Sequence, residues 1–204
     1  MYIPDPFAAL DLAAALIERY AFATLVTVSD GRPVATHLPF LLAPAGPNGT
    51  LRGHMARANP QWRDFGPDME ALVIFQGPHA YVSPNWYQTG PAVPTWNYAA
   101  VHAYGTPRLI ETDEALTALL RDMVTAFDAD PDAAWRRGAS PERFLEGMMR
   151  QVVGFEIPIA RLETKAKLSQ NRPEADRAAV IEELARSDDA TARAVAEMMR
   201  DNDS

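Results

Sequence analysis

The chain has 204 residues, 48% of them hydrophobic and 23% charged, with no cysteine and a formal net charge of −8. That composition suits one globular domain with a substantial core. It excludes a disulfide framework, a thiolate nucleophile and a cysteine-ligated metal site, and it disfavours direct nucleic-acid binding, because phosphate backbones select clustered Lys and Arg.

Residues Leu12 to Tyr20 carry a helical pattern, with Leu12, Leu16 and Tyr20 on one face and Asp11 as the cap. The period then changes. Ala23–Ser29 and Arg32–Leu42 read as strands joined by Asp30-Gly31, since Gly accepts the positive φ that a type I′ turn demands. Pro47-Asn48-Gly49 turns into a third strand, Thr50–Met55. Arg57–Phe65 reads as a short helix or turn entered through Asn59-Pro60. Ala71–Gln76 is a strand, and Gly77-Pro78 is expected to turn the chain into Ala80–Ser83. After a Gln88–Pro94 loop, Trp96–Glu111 resumes as a strand, with a bulge or edge at Gly105 and Pro107.

Asp113 is expected to cap a helix whose stripe is Leu116, Leu119, Leu120, Met123 and Phe127. Ser140-Pro141 opens a short helix to about Arg150, and Val152–Ile159 returns as a strand with a possible run to Leu168. Two helices, Ala178–Arg186 and Ala190–Arg200, end the chain. About six strands with tight turns, interrupted by helices rather than alternating with them, predict a mainly β fold. The expected form is a closed antiparallel barrel with peripheral helices and a helical C-terminal tail. Residues 1–173 form the barrel domain and 174–204 the extension.

No stretch is long and apolar enough for a membrane helix, and MYIPDPFAAL lacks the flanks of a signal peptide. A cytoplasmic location is expected, in keeping with the absence of cysteine. The sequence carries no Gly-rich phosphate loop, no GxSxG and no HExxH, so catalytic residues stay unassigned. His37, His54, His79 and His102 are scattered, and no metal is expected.

Three polar segments stand out. Thr36 and His37 sit inside an apolar strand, where a strand face could meet a planar ligand or His37 could be a rim residue. His54, Arg57 and Asn59 mark a strand-to-helix junction, where free N–H groups and a guanidinium attract an anion, or where Asn59 simply caps. Lys165 to Pro173 concentrates cations and amides in an acidic protein, as a phosphate site, a partner site or a solvated loop. Trp86, Tyr87, Trp96 and Tyr98 suit ring stacking or rim packing.

Over nearly its whole length the sequence resembles the PaiB-type proteins, or FMN-binding negative transcriptional regulators, a branch of the FMN split-barrel group that includes the pyridoxamine-phosphate oxidases. The stretches that carry the resemblance are Met1-Tyr2-Ile3-Pro4, Phe22-Ala23-Thr24-Leu25-Val26, Thr36-His37-Leu38-Pro39 and His54 to Trp62. They continue with Ala80 to Tyr87, Val93 to Tyr98 and Lys167 to Pro173. The resemblance implies a homodimer of split barrels with FMN at the subunit interface. It implies a flavin phosphate near His54, Arg57 and Asn59, and a flavin ring along Thr36 and His37. Trp96, Asn97 and Tyr98 would close the site, with contributions from Lys167, Ser169, Gln170 and Arg172. It further implies a regulatory role, which the charge makes indirect. An FMN-dependent oxidoreductase and a flavin-free protein that binds a metabolite or partner stay open beside it, and with them the question of whether the chain is an enzyme.

Overall fold

A computed structural model describes residues 1–130, 147 and 149–202. Eight strands share one hydrogen-bonded order, β6-β7-β3-β2-β1-β4-β5-β8. They are β1 Phe22–Ser29, β2 Arg32–Ala43, β3 Thr50–Ala56, β4 Ala71–Val82, β5 Thr95–Gly105, β6 Arg108–Leu109, β7 Val152–Pro158 and β8 Arg161–Lys167. The helices are α1 Ala13–Arg19, α2 Asp113–Phe127, α3 Glu174–Ala185 and α4 Ala190–Asn202. The chain forms two compact units. One comprises Ile17–Ile74 and Ala103–Leu162; the other comprises Met1–Leu16, Phe75–His102 and Glu163–Ser204.

In the first of these units β1 and β2 form a hairpin in the register Ser29↔Arg32 to Phe22↔Pro39. Asp30 at φ 49° and Gly31 at φ 73° give the two positive φ values that a type I′ turn needs. β2 continues antiparallel to β3 from Phe40 to Ala43, and β3 pairs along its length with β7. Leu25, Phe40, Leu51, Met55, Val73, Phe155 and Ile157 are buried. Phe155 meets Phe40 and Phe65 edge-on at 6.0 and 5.2 Å. Helix α2 starts at the Thr112 cap, whose hydroxyl accepts the Ala115 N–H, so Asp113 is the first helical residue instead of the cap. Its Leu116, Leu119, Leu120 and Met123 pack with Leu41, Ile110, Met149 and Val152. Phe127, expected in that stripe, is 51% exposed, because it is the last residue of the helix.

In the other unit Ala80, Val82, Ala166 and Leu168 pack with Val180 and Leu184 of α3 and Val195, Ala196 and Met199 of α4. Asp176 is buried in the first turn of α3 and accepts the N–H groups of Gln88 and Thr89 and the Thr89 hydroxyl. The Thr89 hydroxyl bond, foremost, holds its carboxyl below the usual range. It thereby ties down the Gln88–Pro94 loop.

Four expectations change. Gly77-Pro78 does not turn the chain: β4 is one strand through them. The two residues are both buried, and this doublet shifts the in–out alternation by one position. Pro cannot donate to a ladder, and Gly77 lies where a Cβ would stand 3.1 Å from the Ala99 carbonyl oxygen, so the pair reports a close neighbour and a phase slip. The Trp96–Glu111 strand ends at Gly105, with β6 a separate short piece, and the run from Val152 to Leu168 breaks at Ile159-Ala160 into β7 and β8. Helix α3 begins four residues before Ala178, because Pro173 starts it without an apolar signal. The helix expected at Ser140-Pro141 lies mostly outside the described residues. Among the described residues no helix is long and apolar enough to cross a membrane.

Candidate functional site

The expected site residues fall into two groups, one in each unit. In the unit holding the β1–β2 hairpin, period-two alternation puts Thr36 and His37 on opposite faces of β2. Thr36 is half-buried and its hydroxyl accepts from Asn59 Nδ2 at 3.0 Å. His37 is exposed and stacks beside Phe22, with centroids 6.4 Å apart. Asn59 also caps the Pro60–Asp64 turn by accepting the Gln61 N–H. His54 takes a third direction: its Nδ1 lies 3.1 Å from Met123 Sδ of α2, and burial pushes its pKa below 6.5. Arg57 is exposed, with Nε donating to the Arg150 carbonyl and Nη2 to that of Val152. Its Nη1 has no partner among the described residues. Beside it lies a cavity of about 480 Å³ that also takes in Glu111, Thr112, Asp113 and Arg150.

Sequence reading passed over Gln61, which is 2% exposed beneath this junction. Its Nε2 donates to Thr27 Oγ1 at 3.0 Å and to the Val34 carbonyl at 3.2 Å, so it locks the turn to the hairpin. Its Oε1 has no hydrogen-bond partner among the described residues. Gln61→Ala should cost about 2 kcal/mol, since Thr27 and Val34 are left without their donor. Urea unfolding checks this, and an unchanged midpoint would contradict it.

The same unit carries a sheet face that no described element covers. The register places Val28 beside Pro33, Val26 beside Ala35, Thr24 beside His37 and Phe22 beside Pro39, with Leu72 and Ile74 of β4 next to Val26 and Thr24. Phe22 is 68% and Val28 56% exposed, and the rest are exposed or half-buried. The face is almost wholly apolar and, apart from His37, holds no ionisable group.

In the other unit Asn97 and Ser169 are buried against each other: Asn97 Nδ2 lies 2.9 Å from Ser169 Oγ. Ser169 stands at φ 65°, a conformation that favours glycine. Gln170 holds that turn by accepting the Leu168 N–H and donating to the Ala166 carbonyl. Lys167 donates to Thr95 Oγ1 and the Trp96 carbonyl. Burial, then the charges of Lys165 and Arg172, lower its pKa. Tyr98 lies 5.3 Å from the Lys165 ammonium, and Arg172 sits over the Tyr87 ring at 4.6 Å. Trp96 is 53% exposed and meets His79 and Tyr81. Asn97, Ser169 and Gln170 are thus committed to structure, while Lys167, Arg172, Tyr98 and Trp96 keep surface. Among the described residues no group of His, Asp or Glu could hold a metal ion.

The antiparallel strand order and the fold shared with solved structures define a split-barrel protein. An FAD- and heme-binding protein from Mycobacterium smegmatis superposes with a TM-score of 0.60 at 18% identity, over 84% of this chain and 78% of that one. The flavocytochrome Anf3 from Azotobacter vinelandii gives 0.59 at 17%, over 84% and 73%. At these identities the likeness is one of fold. The family model described as "Putative FMN-binding domain" matches residues 1–161. The protease synthase and sporulation protein PAI 2 of Bacillus subtilis is 40% identical over 98% of this chain and 97% of its own length. The chain belongs to this FMN-binding family.

Proposed function

We propose that the chain is a homodimer that holds FMN where two copies meet and acts as a flavin-dependent regulator, touching transcription indirectly. The observation that carries this reading is the uncovered apolar face of β1, β2 and β4. An exposed patch of this kind marks an interaction surface, and a twofold axis would set it against its own copy. Its near-complete lack of charge matters in a protein of net charge −8, because association there meets little direct repulsion. The residues fit the cofactor: the flat apolar face suits a ring system, and Arg57 Nη1 is an uncommitted donor for a phosphate. Bound flavin supplies redox chemistry, while Arg57 and the Asn59 turn hold and orient it. The regulatory part draws on the Bacillus subtilis relative, whose name concerns protease synthesis and sporulation.

The test is a visible absorbance scan after incubation with FMN and gel filtration. We expect about one flavin retained per subunit, and a weakening on Arg57→Ala of roughly tenfold or more, the worth of a charge-assisted phosphate contact. No retained flavin in the parent protein would overturn the reading. Bleaching by NAD(P)H would make the chain an FMN-dependent oxidoreductase instead of a regulator.

A further inference from the structure

In the unit containing α3 and α4, a groove of about 600 Å³ runs between the end of β4, the start of β5 and the α3–α4 connection. Trp96, which the resemblance places at the flavin, is the one residue it shares with the expected flavin site. One wall is aromatic: His79, Tyr81, Trp86 and Trp96. Tyr81 and Trp96 are 46% and 53% exposed, which places a large ring area in water. The rings do not stack. Tyr81 meets Trp96 edge-on, 73° between planes at 5.9 Å, and His79 is tilted 39° to Trp96 at 6.2 Å. Rings at such angles make a corner with ring faces turned in more than one direction. A flat ligand needs parallel faces to slot between, whereas a rounded cation is attracted by each face it meets.

The other wall is acidic. Glu183 and Asp189 line it together with Arg186, Ser187 and Thr191. The Arg186 guanidinium is already bonded to Glu182 and Glu183, so it offers little to an anion. Asp189 Oδ1 accepts the Thr191 N–H at the start of α4, which leaves Oδ2 without a partner among the described residues. Rings on one side and the unpaired Asp189 carboxylate on the other are the chemistry that selects a positive, poorly hydrated group.

We propose that this groove binds an organic ammonium ion, an alkylated amine whose charged head sits in the Tyr81–Trp96 corner facing Asp189. The acidity of the protein as a whole favours such a ligand over an anion.

The test uses the full chain, titrated with choline and, separately, with its uncharged isostere 3,3-dimethylbutan-1-ol, at constant ionic strength, by calorimetry and tryptophan fluorescence. We expect choline to bind and to change the emission of the groove tryptophans, and the isostere to bind about tenfold more weakly or worse. Trp96→Ala should lose about tenfold in choline affinity, Trp96→Phe should keep part of it, and Asp189→Asn should weaken it several-fold. Circular dichroism establishes that each variant is folded, and FMN retention by Asp189→Asn gives an independent readout for the flavin reading. Equal binding of choline and the isostere, no choline binding, or a folded Trp96→Ala that binds as the parent does would each overturn the proposal.

Discussion

Gly105→Ala should destabilise the protein by about 3 kcal/mol or more, the upper end of overpacking costs. A Cβ at this position would lie 2.2 Å from the carbonyl oxygen of Pro158 and 2.8 Å from Ile157 Cγ2. Neither neighbour can yield cheaply. The carbonyl belongs to the end of β7, and Ile157 is wholly buried. The end of β5 must therefore move, although the Ala160 N–H bonds the Tyr104 carbonyl at 2.8 Å and resists it. For a chain of this size the loss corresponds to a fall in Tm of roughly 10 °C. Gly66→Ala is the control, since a Cβ there meets nothing within 4 Å. Thermal unfolding of the pair decides the matter, and a Gly105→Ala melt equal to that of Gly66→Ala would show that the close approach is absent in solution.

The second large effect concerns assembly. Val28→Asp, alone and with Phe22→Asp, should convert a dimer to a monomer at micromolar concentration. Twofold symmetry duplicates each substitution, so every new carboxylate enters an apolar interface together with its copy. Stripping water from an unpaired charge costs several kcal/mol, which corresponds to a dissociation constant raised about a hundredfold or more. The folded monomer should tolerate both changes, because Val28 and Phe22 are 56% and 68% exposed in the single chain. Sedimentation velocity reads the outcome. A monomeric parent, or a double variant that stays dimeric, would remove the proposed interface while leaving the fold and the choline groove untouched.

The hairpin at Asp30-Gly31 was legible because its cause is local: two positive φ values need residues that accept them. The stripe of α2 was legible through Met123 and stopped at Phe127, since periodicity marks a face without saying where its cover ends. Gly77-Pro78 misled for the opposite reason. Gly and Pro advertise a missing Cβ and a missing donor, and those serve a strand crowded by Ala99 as well as they serve a turn. The site was less legible than the fold. Amide and hydroxyl side chains attract attention as ligand contacts, and within the chain Asn59 caps a turn, Gln170 braces one, and Asn97 of β5 bonds Ser169. The opposition of Thr36 and His37 was readable from alternation alone. The groove was not readable, since it draws His79, Tyr81, Trp96 and Asp189 together across more than a hundred residues of chain.

The doublet at Gly77-Pro78 gives β4 something like a reading frame. Up to Phe75 the odd positions face inward, and from Ala80 the even ones do. Ala80 and Val82 are core, and His79 and Tyr81 are free to form the aromatic corner, only because the count changes between them. Substitutions along β4 alter one side chain at a time, whereas loss of a single residue at the doublet would exchange inside for outside over the rest of the strand. Chain length at this point, more than residue identity, is what selection must hold fixed.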